Sequence, residues 1–207
     1  MDTPLFVKVC GLRTERDVDT AVEAGVDAIG FVFAESPRRV DAGTARRLAA
    51  RVPDGVLTVG VFRDQPLDEV RALLDGTGMR AVQLHGREDL AYYDALRPDG
   101  RTLIRGVAVR DGVPRYGERG EDILLLDAPV PGAGEVWDRT GKRLPAPGRR
   151  WLLAGGLDPH NVVEAVRTAR PWGVDVSSGI EISRGVKSPE LITEFIMAAR
   201  GARTESG

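Results

Sequence analysis

At 207 residues, the chain is long enough for one well-buried domain but short for two. Hydrophobic residues make up 42% of it and charged residues 29%, as in an ordinary globular protein. The 29 Lys and Arg residues are balanced by 31 Asp and Glu residues, which argues against a nucleic-acid partner, and the single cysteine excludes an internal disulfide.

The first residues do not resemble a targeting segment. MDTPLFVKVCGL has neither the cationic start nor the apolar core of a secretory signal. The apolar runs of the chain are all far shorter than the ~20 residues needed to cross a bilayer. We therefore expect a cytoplasmic protein with no membrane partner, and the single cysteine agrees with a reducing compartment.

Short apolar runs alternate with helical patterns along the whole chain. The runs are rich in Val, Ile and Leu without polar alternation, as in strands of a parallel sheet that is covered on both faces. The predicted strands are Leu5–Cys10, Ala28–Phe33, Leu57–Phe62, Ala81–Leu84, Thr102–Val107, Ile123–Asp127, Trp151–Ala154 and Val174–Ser177. Eight strands that alternate with helices favour a closed (β/α)8 TIM barrel, of the α/β class, over a doubly wound open sheet.

Amphipathic stripes predict helices between the strands. Apolar side chains recur at intervals of three and four residues in three sets: Ala45, Leu48, Ala49 and Val52; Val162, Ala165, Val166 and Ala169; and Leu191, Ile192, Phe195, Ile196 and Ala199. Thr14 with Asp17 three residues later predicts the start of the first helix. Asp158-Pro159 and Ser188-Pro189 predict the starts of two later helices.

One segment departs from this alternation. Residues 110–120 are glycine-rich and charged and carry no apolar stripe, so we expect a loop or a shortened helix after the fifth strand. No internal linker divides the chain. We therefore predict a single barrel domain over residues 1–200, followed by a polar, disordered tail over residues 201–207.

Glycine-bearing turns follow the seventh and eighth predicted strands, AGGL at 154–157 and SSGIE at 177–181. Each is also compatible with a tight turn that has no chemical role. As neighbours at the C-terminal ends of barrel strands they favour a phosphate site, because glycine lets backbone N–H groups approach an anion. The candidate phosphate-binding residues are Gly155, Gly156, Ser178 and Gly179.

Two further residues at strand ends are candidates for proton transfer. Cys10 ends the first strand, but a single cysteine is more often a small buried hydrophobe than a base. At an ordinary pKa of about 8.5, only about 3% of a thiol is ionised at pH 7, so a catalytic role needs a nearby cation or dipole. Asp127 ends the sixth strand, where it either caps the next loop or acts as an acid at the rim of an apolar pocket.

The remaining polar residues at the strand ends point to no metal. Arg38 and Arg39 follow the second strand; adjacent arginines are usually solvated, but one that faces the barrel mouth can bind a carboxylate with two hydrogen bonds. His85 follows the fourth strand, and His160, the other histidine, lies in a predicted helix start. Because no His, Asp and Glu residues have metal-site spacing, we expect no metal. No GxSxG, Walker or GxGxxG motif is present.

Seven motifs occur in order, at the spacing of successive βα units. They are VKVCG at 7–11, GFVFAESPRR at 30–39, VGVF at 59–62, VQLHG at 82–86, LLLD at 124–127, LAGGLDPHNV at 153–162 and GVDVSSGIE at 173–181. Together they resemble the phosphoribosylanthranilate isomerase family. The resemblance covers the chain from about Val7 to the predicted helix that ends near Arg200.

The resemblance implies an Amadori rearrangement of N-(5′-phosphoribosyl)anthranilate in tryptophan biosynthesis, without metal or cofactor, by a monomer or homodimer. In that family the cysteine of strand one is the general base and the aspartate of strand six the general acid, which implies these roles for Cys10 and Asp127. Arg39 matches the family arginine that contacts the anthranilate carboxylate. The residues that would hold the substrate phosphate are Gly155, Gly156, Ser178 and Gly179.

The chain departs from the family pattern after the sixth strand. In PGAGEVWDR at 131–139, Glu135 stands where the family often has a lysine or arginine, while Trp137-Asp138 keeps part of the usual sequence. The resemblance therefore does not predict what this loop contributes to affinity. It leaves the acid and the base in place.

Three rival functions fit the sequence less well. The isomerase of histidine biosynthesis has an aspartate as its strand-one base and a second phosphate site, whereas strand one ends here in Cys10 and VGVFRD after strand three offers no glycine turn. A metal-dependent pentulose-phosphate epimerase needs strand-end histidines paired with carboxylates, and the chain has two histidines. A catalytically silent barrel that binds a phosphorylated ligand or a partner protein is favoured by Glu135 alone.

Overall fold

The computed structural model describes residues 4–109, 114–127 and 150–204. Eight parallel strands form a closed barrel in which each strand pairs with the next and the eighth pairs with the first. They are β1 (Phe6–Cys10), β2 (Ala28–Val32), β3 (Leu57–Phe62), β4 (Ala81–Leu84), β5 (Thr102–Ala108), β6 (Ile123–Asp127), β7 (Trp151–Leu153) and β8 (Gly173–Val176). The prediction of a (β/α)8 barrel is confirmed.

Helices pack around the barrel: α1 (Glu15–Glu23), α2 (Ala42–Ala49), α3 (Leu67–Thr77), α4 (Leu90–Leu96), α5 (Val162–Ala169) and α6 (Pro189–Thr204). The predicted start of the first helix is confirmed, because the Thr14 hydroxyl accepts a hydrogen bond from the Asp17 amide at 3.2 Å. α5 begins at Val162, later than predicted. The side chain of Asp158 accepts from the amides of His160 and Asn161 and forms a turn before the helix. None of the described helices has the length and apolar character of a membrane span.

Two segments near strand and chain ends bear on the predictions. Among the described residues between β5 and β6 there is no helix, as expected; buried Glu121 accepts hydrogen bonds from two amides of the turn that replaces it. The predicted disordered tail is wrong at its start, since α6 continues through residues 201–204. Ala202 is buried against the core, which favours the helix over a frayed end. Residues 205–207 and the loop with Glu135 lie outside the described residues.

A short antiparallel hairpin follows the barrel, and the sequence analysis did not predict it. A 3-10 turn, Ser178–Ile180, comes directly after β8. It leads into β9 (Glu181–Ser183), which pairs with β10 (Val186–Lys187) before α6 begins. Two of its side chains reach the mouth of the barrel, where Glu181 accepts from Arg38 and Lys187 donates to the Ser177 carbonyl.

Successive side chains of each strand point alternately outward and inward, which gives two separate buried layers. One lies between the strands and the helices and contains the large aliphatic and aromatic residues. The other fills the barrel with smaller side chains such as Ala28, Val59 and Ala81. Because successive strand residues point to opposite faces, Lys8 shares the interior face of β1 with Cys10.

Candidate active site

The C-terminal ends of the strands surround two adjoining cavities of about 720 Å³ and 210 Å³. They share six lining residues: Val32, Ser36, Arg38, Val61, His85 and Asp127. The smaller cavity also contacts Cys10, Gly155, Gly156 and Ser178. The fold therefore brings both predicted proton-transfer residues and three of the four predicted phosphate-binding residues to one place.

Cys10 is the last residue of β1 and is 7% exposed. The neighbouring strand makes room for its thiol with a glycine, because a Cβ at Gly30 would lie 2.8 Å from Sγ. Burial raises the pKa of the Cys10 thiol, and the ammonium groups of Lys8 and Lys187 oppose this rise. The Cys10 carbonyl is held from above by the Ser177 hydroxyl, which donates to it at 3.1 Å.

Asp127 ends β6, and its carboxyl group faces His85 across the mouth. The His85 Nε2 atom lies 3.4 Å from Asp127 Oδ2. On the other side of the ring, Nδ1 lies 3.3 Å from the Gln83 side-chain nitrogen. Gly106 on β5 leaves space for this ring, since a Cβ there would lie 2.8 Å from it.

The turns after β7 and β8 form a concave surface of backbone. Gly155 and Gly156 both have positive φ, 88° and 63°, which L-residues rarely adopt. The backbone N–H groups of Gly155, Gly156 and Ser178 have no hydrogen-bond partner among the described residues. Such consecutive free amides form an anion-binding concavity.

Gly179 has a different place from its predicted neighbours. It does not line either cavity. A Cβ at this position would lie 1.8 Å from the carbonyl oxygen of Leu157, so the two turns touch backbone to backbone there. Gly179 thus shapes the concavity by close packing.

The two adjacent arginines after β2 point to different environments. Arg39, which the family resemblance matched to the substrate carboxylate, is exposed and lines neither cavity, whereas Arg38 lines both. Arg38 lies in a turn that closes where the Arg39 amide donates to the Ser36 carbonyl at 3.0 Å, and the backbone of Arg39 then bridges to Val32. The stem of Arg38 lies against Gly11, where a Cβ would come within 2.8 Å of Cδ.

Glu181 of the hairpin holds the Arg38 guanidinium over the mouth. Arg38 donates from Nε to Oε1 at 2.6 Å and from Nη2 to Oε2 at 3.0 Å. Lys187 donates to the same Oε1 at 2.9 Å, and also to the Ser177 carbonyl at 2.8 Å. Burial acts to raise the pKa of Glu181, but its bonds to Arg38 and Lys187 outweigh burial and keep the pKa below its ordinary value.

Several polar residues of the site were missed by sequence reasoning. Lys8 and Asp175 form an ion pair inside the barrel, with Nζ 2.7 Å from Oδ1. Gln83 lines the smaller cavity, and Glu181 and Lys187 link the hairpin to Arg38. A usable signal was present for Lys8, because it interrupts an apolar strand two positions before Cys10 and so shares its face.

The arrangement suits proton transfer on an anionic substrate. A thiol and a carboxyl group reach one cavity, with free amides on one side and a guanidinium on the other. Among the described residues, no group of three or more His, Cys, Asp or Glu side chains lies close enough together to hold a metal ion.

Comparisons with known proteins point to one family. The profile of the N-(5′phosphoribosyl)anthranilate (PRA) isomerase family matches residues 7–198. An N-(5′-phosphoribosyl)anthranilate isomerase from Desulforudis audaxviator is 41% identical over 205 residues, covering 95% of this chain and 98% of the relative.

Solved structures agree with the sequence match. TrpF from Jonesia denitrificans superposes with a TM-score of 0.85 at 40% identity, covering 96% of this chain and 98% of that one. A phosphoribosyl anthranilate isomerase in complex with reduced 1-(o-carboxyphenylamino)-1-deoxyribulose 5-phosphate has a TM-score of 0.78 at 31% identity, with 95% and 99% of the two chains covered.

Proposed function

The chain belongs to the N-(5′-phosphoribosyl)anthranilate isomerase family, and we propose that it catalyses the Amadori rearrangement of N-(5′-phosphoribosyl)anthranilate in tryptophan biosynthesis. The product is 1-(2-carboxyphenylamino)-1-deoxyribulose 5-phosphate. The observation that carries the proposal is that Cys10 and Asp127 line the same small cavity as the glycine turns after β7 and β8. A base, an acid and an anion cradle are the groups that this reaction requires.

The reaction needs one proton to be donated and another to be removed. The carboxyl group of Asp127 donates a proton to the furanose ring oxygen, and the C1′–O bond breaks to leave an iminium ion. The Cys10 thiolate then removes the proton from C2′, and the electron pair of the C–H bond flows into the iminium to give an enolamine. Protonation at C1′ and loss of the C2′ hydroxyl proton give the ketone. The substrate's own iminium is the electron sink of this sequence.

The two charged ends of the substrate match the two sides of the site. The phosphate fits the free amides of Gly155, Gly156 and Ser178, and Gly179 supports this turn by packing. For the anthranilate carboxylate, the position of Arg38 in both cavities favours it over Arg39. Arg38 binds Glu181 through Nε and Nη2, so Nη1 and the second Nη2 hydrogen remain to donate to a carboxylate.

Other expectations from the sequence stay predictions. They are the start of the barrel domain at residue 1, a cytoplasmic location, a monomeric or homodimeric assembly, and catalysis without metal or cofactor. The related phosphoribosylanthranilate isomerase of Thermotoga maritima is dimeric, and a structure of monomers generated from it has been solved.

The proposal is tested by following the loss of anthranilate-type fluorescence of freshly generated substrate in chelator-treated buffer. We expect the wild-type chain to be active and Cys10→Ser and Asp127→Asn each to lower kcat by about 10²–10⁴-fold. Asp94→Asn on the outer surface of α4, whose side chain is 59% exposed, is the matched control and keeps the wild-type rate.

Two results would contradict this assignment at different levels. A folded wild-type chain that binds a phosphorylated analogue and does not turn over the substrate would leave a binding protein only. Near-full rates in both active-site variants would keep the family assignment and refute the acid and base roles.

A further inference from the structure

A buried ion pair lies directly beneath the thiol at the end of β1. Lys8 is 0% exposed, and its Nζ donates to Asp175 Oδ1 at 2.7 Å. The two residues are partners in the register of β1 and β8, and both face the interior of the barrel. Two charges are costly to remove from water, and an apolar pair of similar volume is often as stable. Stability alone therefore does not explain this pair.

The ammonium of Lys8 is a neighbour of the Cys10 sulfur. Lys8 and Cys10 are two positions apart on one strand face, and both side chains lie against Gly30. A Cβ there would be 2.8 Å from Cys10 Sγ and 3.3 Å from Lys8 Nζ. In the poorly polarisable interior, a positive charge so close to sulfur favours the thiolate over the thiol.

Other charged groups face the same thiol. Asp175 contributes from β8 and opposes ionisation of the thiol, whereas Lys187 contributes from β10 and favours it. Three further charged or titratable groups line the same small cavity: Arg38, His85 and Asp127. Lys8 is the largest influence that lowers the pKa of Cys10, ahead of Lys187.

Asp175 keeps the Lys8 ammonium charged. Burial acts to lower the pKa of Lys8, but the charges of Asp175 and Cys10 overcome this and raise the pKa above its ordinary value. The ion pair with Asp175 therefore favours the charged form of Lys8. Asp175 on β8 thus supports the effect of Lys8 on the thiol by holding its ammonium.

We propose that Lys8 is a positioning residue for the catalytic base, whose ammonium, held by Asp175, supplies the positive potential that allows Cys10 to become a thiolate inside the closed barrel. The inference rests on the proposed function, because it takes Cys10 to be the base. It assigns a role to a buried pair of which Asp175 lines the smaller cavity and Lys8 does not.

The test uses the fact that Cys10 is the single cysteine of the chain. The rate of its alkylation by iodoacetamide, measured against pH without substrate, reports the ionisation of this thiol alone. In Lys8→Met we expect the rate at a fixed pH near neutrality to fall at least about tenfold, which corresponds to a rise of one unit in the thiol pKa. The double variant Lys8→Met/Asp175→Asn keeps the test available if the single variant is unstable. Because Asp175 opposes ionisation of the thiol, we expect a smaller loss in the same direction from this double variant.

Two controls separate the specific effect from a general one. Lys187→Met removes the other buried lysine near the thiol, and we expect a smaller change in the alkylation rate. Arg101→Met removes a cation that precedes β5 at the opposite end of the barrel, where it pairs with Asp75 at 2.6 Å, and leaves the rate unchanged.

In turnover, we expect Lys8→Met to lower kcat and to move the ascending limb of its pH profile to higher pH, with KM within about twofold of wild type.

The outcomes distinguish the inference from the proposed function. An unchanged alkylation profile in a folded variant that lacks the Lys8 charge overturns the inference, as does an equal effect of Lys187→Met. If Cys10→Ser keeps its activity, the base assignment of the proposed function fails. The alkylation measurement still decides whether Lys8 controls the thiol.

Discussion

The structure favours Arg38 as the residue that binds the substrate carboxylate, whereas the family resemblance favours Arg39. Replacing the two arginines one at a time distinguishes these assignments. Each charge-assisted hydrogen bond to a carboxylate contributes about 1.5–3 kcal/mol. One edge of the Arg38 guanidinium is already used by Glu181, and its side chain is 22% exposed, so water weakens the new contact. We therefore expect Arg38→Met to cost about 2 kcal/mol of substrate binding, or about thirtyfold in KM.

Arg39→Met is the matched control from the adjacent position. Its side chain is exposed and lines neither cavity, so we expect KM within about twofold of wild type. The hairpin keeps its place in Arg38→Met because Lys187 still donates to Glu181 at 2.9 Å. Little change in kcat is expected, since Arg38 binds an end of the substrate that does not react.

Initial rates of fluorescence loss over a range of substrate concentrations give KM and kcat for both variants. Binding of the reduced product analogue, measured by calorimetry, gives the same comparison without turnover. If Arg39→Met raises KM and Arg38→Met does not, the assignment from the resemblance is right. The inference from the orientation of the two side chains then fails.

Three further predictions follow from glycine packing and from ionisation. Gly179→Ala places a Cβ 1.8 Å from the Leu157 carbonyl oxygen, so we expect the free energy of unfolding, measured by heat or urea, to fall by about 1–3 kcal/mol and KM to rise. The control Gly76→Ala lies in α3 with open space around it, and we expect it to raise the free energy of unfolding by about 0.5–1 kcal/mol. Equal stability of the two variants would contradict the packing argument. Burial raises the pKa of Cys10, and a general base acts in its deprotonated form. We therefore expect kcat/KM to rise with pH, with an ascending limb that extends beyond the ordinary thiol pKa of about 8.5. A plateau of kcat/KM already reached below neutral pH would contradict this. Burial also raises the pKa of Tyr93, so its neutral phenol contributes stability that is complete below the unfolded pKa of about 10 and is lost as pH rises above it; Tyr93→Phe should flatten the alkaline fall in Tm, and an unchanged slope would refute the linkage.

The strands and two candidate residues for proton transfer could be predicted from local sequence patterns. Leu57–Phe62 and Ile123–Asp127 were predicted with the bounds that the structure has. A barrel strand is buried on both faces, so a continuous apolar run marks its whole length. Because the chemistry of such barrels lies at the C-terminal ends of strands, the first polar residue after a run was a sound candidate. That reasoning found Cys10 and Asp127.

Local patterns could not decide which side chain enters the mouth or which charges meet inside the barrel. Glu181, which lies 143 positions away in the sequence, binds Arg38 and holds it at the mouth. Lys8 forms its ion pair with Asp175, which lies 167 positions away. The hairpin that carries Glu181 has strands of three and two residues, too short to show a period. Alternation and composition are properties of neighbouring residues, so they predicted the barrel and made Cys10 and Asp127 candidates for proton transfer, while their roles came from the family resemblance. The ion pair of Lys8 and Asp175 forms only once closure of the barrel brings β8 against β1.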